Sequence, residues 1–381
     1  ITTTYTYDGS TSLTANGINS STPIVNENGV SGASGVTMDT ENHRMFVADS
    51  GNHRILVFNL GVDNTLTDYT ADNVLGQSNF LNNSAATTAT GLSSPRGITY
   101  WHAPSGTQYL FVADIANNRV LAYDVGSITD GESAVAVIGQ TSFTANDSGA
   151  ATQINLASPA DVAVDAVNNR LYVADSKANR VLAYDIATLI PASTPAMAVI
   201  GQDGYTTDNS GTSAGNLNEP SGLFYDPDGQ ILFISDTRNN RVLTYNGALI
   251  VDGSHGVMAT KVLGQSAFGV TTAALSQAGM TNPQSIDYDA ENKIAFVSTS
   301  DNRVLLFDVT SITNGENAIA VIGQPDFTSG VTGTSSSLLN SPNMSYFDNG
   351  NNLFYLADAA NNRVLKFEFI TLVTASISSS A

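Results

Sequence analysis

The chain has 381 residues, with 34 acidic against 14 basic side chains, a formal net charge of −20 and no cysteine. This length is ample for one continuous buried core, and with no thiol there is neither a disulfide framework nor a cysteine nucleophile. Six of the basic residues fall in one repeated turn, and the rest are too sparse to neutralise a phosphate backbone, which argues against nucleic-acid binding; no apolar run approaches the roughly 20 residues of a membrane span.

The chain opens on residues 1–8 (ITTTYTYD), where Tyr5 and Tyr7 alternate with threonines, followed by TSLTA at 11–15. The first full unit then begins: GVTMD at 35–39, MFVAD at 45–49, a turn, RILVF at 54–58, and NVLGQ at 73–77. These are short runs rich in Val, Ile, Phe and Tyr between Asn, Gly, Asp and Ser, the pattern of strands. The same succession returns after Pro95, Pro159, Pro220, Pro283 and Pro342.

The turn is the loudest signal. It reads ADSGNHRIL, ADIANNRVL, ADSKANRVL, SDTRNNRVL, STSDNRVL and ADAANNRVL, with arginines at 54, 119, 180, 241, 303 and 363, spaced 65, 61, 61, 62 and 60 residues apart. A fixed period of this size means stacked supersecondary units. Asp recurs with Arg: Asp49 with Arg54, Asp114 with Arg119, Asp175 with Arg180, Asp236 with Arg241, Asp358 with Arg363. A carboxylate and a guanidinium across a tight turn form a charge-assisted pair, so these are expected to be structural staples. The fifth copy is one residue shorter and has Thr299 at the Asp position, which leaves Arg303 without its expected partner.

The first five units end in Gly-Gln, and Gln and the next Pro are 18, 19, 18, 18 and 18 residues apart. An aromatic sits three after the Gln (Phe80, Phe143, Tyr205, Phe268, Phe327) and an apolar residue three before the Pro (Leu92, Leu156, Leu217, Met280, Leu339). Flexible linkers would not keep such register, so the connectors are expected to fold against the body. Their middle thirds vary, and variable loops on a rigid scaffold are where recognition lives.

Four antiparallel strands per unit, six times over, make an all-β, six-bladed β-propeller of four-stranded antiparallel blades. Counting back from Gly35 puts Val30 at the apolar position and Ile18 at the aromatic one, so residues 11–15 would supply the outer strand of blade six and close the ring. The propeller is then expected over 11–369, with β tails at 1–10 and 370–381 that link to other domains or pair with a second copy, as a donated strand does. The turn resembles that of the NHL repeat family, in which Asp…Asn-x-Arg-[Val/Ile] marks the passage from second to third strand. The resemblance runs nearly the whole chain and implies the six-bladed fold. It implies no single function, because this fold carries lyases, hydrolases, RNA binders and adhesive modules.

Some propellers of this family are zinc lyases, which need histidines converging on the channel. His43 and His102 fall in turns between first and second strands, His255 between third and fourth, and His53 in an Asp-to-Arg turn, so no such set is expected. The polar departures on the inner strands are Asp161, where other blades have Gly35, Gly97, Gly222, Ser285 and Met344, and Asp287, where others have Thr37, Thr99, Ala163, Phe224 and Tyr346. Glu219 and Asn282 precede two of the prolines. Asp161, Glu219 and Asp287 are therefore the candidate ligands of a metal, with calcium as the ion that suits such oxygens. The repeated Asp39, Asp165, Asp226, Asp289 and Asp348 are read as turn residues.

The reading that results is a non-catalytic, extracellular or cell-surface binding or assembly module with no cofactor. It would meet a protein or glycan on the long-connector rim and self-assemble into filaments through residues 1–8 and 370–381. Ser, Thr and Asn fill the loops, lysine occurs only at 177, 261, 293 and 366, and the first residue is Ile, which fits a processed secreted chain. Sequons stand at Asn19, Asn82, Asn146 and Asn343. The alternative is an extracellular hydrolase or lyase using a cation in the channel.

Overall fold

The computed structural model describes residues 5–12, 25–189 and 191–371. Six four-stranded antiparallel sheets stand around a common axis. From axis to rim, blade one is Ala33–Asp39, Arg44–Asp49, Arg54–Asn59 and Asn73–Leu75. Blade two is Pro95–His102, Gln108–Asp114, Arg119–Asp124 and Ala136–Ile138. Blade three is Pro159–Asp165, Arg170–Asp175, Arg180–Asp185 and Ala198–Ile200; blade four is Pro220–Asp226, Ile231–Asp236, Arg241–Asn246 and Lys261–Leu263. Blade five is Pro283–Asp289, Ile294–Thr299, Arg303–Asp308 and Ala320–Ile322. Blade six is Pro342–Asp348, Leu353–Asp358 and Arg363–Thr371, and its fourth strand is Tyr5–Ser12.

That fourth strand pairs Tyr5 with Thr371, Thr6 with Ile370 and Tyr7 with Phe369, then, past an irregularity, Thr11 with Lys366 and Ser12 with Leu365. The paired strand thus starts six residues before the TSLTA run, and residues 13–15 and Ile18 lie outside the described residues. Part of the two stretches read as tails, Tyr5–Tyr7 and Ile370–Thr371, is paired within the chain.

The second-to-third strand turn passes through one short 3-10 turn, as in Ser50–Asn52 and Ile115–Asn117. It ends on a left-handed residue, φ about 52–54° at His53, Asn118, Asn179, Asn240 and Asn362, a conformation Asn tolerates better than most. Blade five, one residue shorter, has no such 3-10 turn between Ile294–Thr299 and Arg303–Asp308. On each inner strand a bulge follows the first residue, Ala33 in blade one and a proline in the other five, as between Pro159 and Val162.

Five outer strands are only three residues long. Each stops at a glycine of positive φ, Gly76, Gly139, Gly201, Gly264 and Gly323. A Cβ on Gly139 would lie 2.3 Å from Leu156 Cδ1, so the glycine opens the space into which the connector's apolar anchor packs.

The core lies between blades. One cluster joins the faces of blades three and four through Tyr172, Ile200, Leu232 and Leu243; another joins blade one to blade six through Val36, Met45, Val364 and Tyr355. Alternating strand residues face opposite sheet sides, so each blade contributes one face to each neighbour. Burying an aliphatic or aromatic side chain in such a wedge stabilises by about 1.5–3 kcal/mol.

Candidate functional site

The two ends of the propeller are built differently. At the connector rim, each repeat arginine is the centre of a network. Asp49 Oδ2 accepts from Arg54 Nε at 2.7 Å and from Asn52 Nδ2 at 2.9 Å, while its Oδ1 accepts from the Ser31 amide at 2.6 Å. Arg54 then donates to the carbonyls of Asn26 and Gly29 on the connector entering its blade, and to that of Phe80 on the connector leaving it. Arg119 repeats this with Asp114, Thr88, Gly91 and Phe143. Arg180 does so with Asp175, Asn155 and Tyr205. Arg241 pairs with Asp236 and reaches Phe268, and Arg363 pairs with Asp358 and reaches Thr334, Ser335 and Leu338. The connector from blade one to blade two is therefore held by Arg54 at Phe80 and by Arg119 at Thr88 and Gly91. The recurring aromatic supplies a backbone carbonyl at this grip.

Burial pushes the carboxyls of Asp49, Asp114, Asp236 and Asp358 above the ordinary carboxylate value, and that of Asp175 up to about 6, while the partner guanidinium pulls each back. The fifth blade corrects the sequence reading: Arg303 has a carboxylate partner. Asp301, inside the shortened turn, accepts from Arg303 Nε at 2.9 Å and Nη2 at 2.8 Å, and Thr299 donates its hydroxyl to the same carboxylate. The deletion carries the carboxylate from one position of the turn to another.

Two further contacts tie neighbours together. The Gln of each Gly-Gln donates to the carbonyl of the left-handed residue and to a connector carbonyl seven residues on, as Gln140 does to Asn118 and Asp147. The left-handed Asn accepts from the amide before the next blade's strand, as Asn118 Oδ1 does from Ser158 and Asn362 Oδ1 from Gly32. His53 does the same work with Nδ1, 2.9 Å from the Ser94 amide, so the histidine that replaces Asn is a working substitute. His43 pairs with Asn64, and His102 with Glu41.

The channel at the other end is built from residues that do not repeat. A cavity of about 380 Å³ is lined by all six inner strands, and opens between the first-to-second strand turns that hold Thr40, Glu41 and Asn349. Those turns are shaped by the recurring Asp, as Asp165 and Asp289 accept from Asn168 and Asn292. Of the candidate ligands, Asp161 and Asp287 line this cavity. Glu219 does not: it pairs with Arg238 at 2.9 Å, exposed, on the connector rim. It sits before the proline and its bulge, at the opposite end of the strand from the cavity. Asn282 is likewise on that rim, donating its amide to Asn240.

Asp161 and Asp287 are both 6% exposed but differ in what they hold. Asp161 accepts from the Val162 amide through Oδ1 and, across the blade boundary, from the Leu223 amide through Oδ2, both at 2.8 Å. Its charge is also answered by Arg96. Asp287 accepts from the Tyr288 amide through Oδ1, and the Phe347 amide lies close by, but Oδ2 has no hydrogen-bond partner among the described residues. Burial pushes both carboxyls up to about 7.

Arg96 escaped the sequence reading. Its guanidinium crosses from blade two to Gln284 Oε1 of blade five at 2.9 Å and Asn343 Oδ1 of blade six at 3.2 Å. Burial lowers its pKa and the Asp161 carboxylate raises it. It occupies the second inner-strand position, where other blades have Ser34, Ala160, Ser221, Gln284 and Asn343, and the same column-by-column comparison that found Asp161 would have found it. Asn343, read as a sequon, is engaged in this contact. Among the described residues no three His, Cys, Asp or Glu side chains are grouped to hold a metal, and no helix is long and apolar enough to cross a membrane.

Comparison with known proteins bears on the family. The NHL repeat model matches residues 31–58 and 156–184, the stretches that run through the first three strands of blade one and reach the third strand of blade three. NHL repeat-containing protein 2 of Homo sapiens is 28% identical over 209 residues, 52% of this chain and 28% of that protein, so the match takes in little more than a quarter of the human protein's length. A solved structure of a protein of unknown function from Bacteroides thetaiotaomicron superposes with a TM-score of 0.57 over 96% of this chain and 77% of that one, at 13% identity, a likeness of fold. The chain is a six-bladed β-propeller that matches the NHL repeat at two stretches and carries the Asp-to-Arg turn around its ring.

Proposed function

We propose that this propeller is a non-catalytic binding or assembly module acting outside the cell or at its surface, and that it meets a protein or glycan on the connector rim. The observation that carries this reading is the pairing of fixed ends with exposed apolar middles. The arginines and glutamines hold both ends of the connectors between blades one and six that are fully described, yet Leu81, Leu275 and Val331 stand 73, 45 and 58% exposed on them. Leu275 lies against Gly330, so two adjacent connectors share one patch. Recognition by a preorganised backbone loses less ordering entropy on binding. NHL-type propellers typically bind proteins. Loops rich in Ser, Thr and Asn, with few lysines, support the extracellular setting.

Assembly has its own support. The fourth strand of blade six comes from the far end of the chain, so the equivalent strand of a second copy fits the same edge, and exchange along a row of molecules gives a head-to-tail filament. The test is sedimentation of the full chain over a range of concentrations, beside Leu275→Asp/Val331→Asp and a chain without residues 1–12, with all three probed against immobilised extracellular proteins and glycans. Rim binding should vanish in the double variant, and strand-dependent association should change on deletion. Partners retained by the double variant, with self-association indifferent to both changes, would overturn the proposal.

A further inference from the structure

Blades one to four each have their outer edge covered by the blade that follows. The central valine of the fourth strand turns its amide outward, and the loop after the next blade's third strand meets it. Val74 donates to Asp130 Oδ1 at 3.0 Å, Val137 to the Pro191 carbonyl at 3.0 Å, Val199 to the Ser254 carbonyl at 2.9 Å and Val262 to Asn314 Oδ1 at 3.1 Å. Asp130, Pro191 and Asn314 stand eleven residues past Arg119, Arg180 and Arg303, and Ser254 thirteen past Arg241. In blade five the corresponding amide, that of Val321, has no such partner among the described residues. The other four valines are fully buried, whereas Val321 is only partly so and Ile319, just before its strand, is 48% exposed. The reason is topological: blade six takes its fourth strand from Tyr5–Ser12, so no loop leads from its third strand to a fourth. A bare strand edge is a template for any extended chain that reaches it.

We infer that the edge of blade five is the docking site of residues 372–381 of the same molecule. This segment, LVTASISSSA, follows blade six's third strand and lies outside the described residues. Eleven residues past Arg363 is Thr374, within it. It carries no charge and no proline, and Val373, Thr374 and Ile377 are β-branched, a composition suited to an added strand. It has no glycine to repeat the left-handed turns at Gly131 and Gly315, so it meets Ala320–Ile322 as an extended strand and not as a hairpin. Its attachment to the adjacent blade favours the same molecule over a second copy, because a short tether holds a segment at an effective concentration on the order of millimolar. The inference concerns the outer edge of one blade and stands whether or not the connector rim binds a protein.

The experiment is amide hydrogen exchange of the full chain and of a chain truncated after Thr371, each in concentrated and in dilute solution. We expect the Val321 amide to be protected in the full chain at either concentration, and to exchange at least about tenfold faster after truncation. The amides of Val74, Val137 and Val262, whose covering loops are untouched, should keep their protection and so report that the ring is folded. Thr374→Pro/Ala375→Pro removes two backbone donors from the segment and should reproduce the loss at Val321 without shortening the chain. Fast exchange at Val321 in the full chain, protection that survives truncation in dilute solution, or protection in the full chain that falls away on dilution, as a second copy's tail would give, each overturns the inference.

Discussion

The connector rim and the channel mouth are the two ends of the same inner strands, and they use polar residues in opposite ways. At the rim one arrangement is repeated around the ring, and Asp175, Arg180 and their equivalents have their hydrogen-bonding capacity met by neighbouring blades and connectors. In the channel Arg96, Asp161 and Asp287 each occur on a single blade, and each meets a different set of neighbours. Recurrence marks what the ring needs in order to stand. Departure from recurrence marks where this chain differs from any other ring of the same kind.

The sharpest way to break the comparison is at the rim. Arg180→Ala strands the buried Asp175 carboxylate and frees two connector carbonyls, and should lower stability by about 3–5 kcal/mol, the range for removing one partner of a buried pair. Arg303→Ala should cost a comparable amount, because Asp301 stands in for the missing aspartate and four connector carbonyls depend on the same guanidinium. Denaturant unfolding of both variants checks this; a mild Arg303→Ala would show that Asp301 is no substitute.

The channel's close packing comes next. A Cβ at Gly97 would fall 2.2 Å from Asp161 Oδ1 and 2.5 Å from its Cα. Gly97→Ala should therefore cost about 3 kcal/mol, the upper end for overpacking, whereas alanine at the open Gly204, with nothing in reach, should be nearly silent in the same assay.

Titration tests the channel end directly. Asp161 and Asp287 have folded-state values near 7, above the ordinary 3.8. A raised carboxyl stabilises the fold below its unfolded pKa, and that contribution drains away as pH rises through the folded one. The melting temperature should thus fall between about pH 4 and pH 8. Asp287→Asn should remove about 4 kcal/mol of the pH dependence across that window, about three units at roughly 1.4 kcal/mol each. A slope unchanged in this variant would place the titration elsewhere.

The smallest effect lies in one turn. His53→Asn should leave the melting temperature nearly unchanged, since Asn fills this place in the other turns, while His53→Ala should lose about 1 kcal/mol with the bond to Ser94. Equal losses would mean that the ring, and not the accepted hydrogen bond, matters.

The propeller was legible because a period near 61 residues, a fixed Gln-to-Pro distance and the Asp-to-Arg turn are all written in residue identities. What escaped depends on positions in space. Asp301 occupies a different column from Asp49 or Asp175, but a shorter turn brings its oxygens to the same guanidinium. Glu219 looked like a companion of Asp161 because both neighbour an inner-strand proline, yet the two lie on either side of it, one at the rim and the other along the channel. The difference between Asp161 and Asp287 was out of reach altogether, since both read as one acidic residue on an inner strand. The amide of Leu223, sixty-two residues away, and the guanidinium of Arg96 answer the first and not the second.

The double grip on each connector has a mechanical consequence. Arg54 and Arg119 hold one connector from two blades, and Arg119 and Arg180 hold the next. A pull on any one loop is shared at once by two sheets, and through their own loops by the next pair, much as hoops spread the load around a barrel. A partner tugging at the rim would then meet the stiffness of the ring and not the softness of a loop.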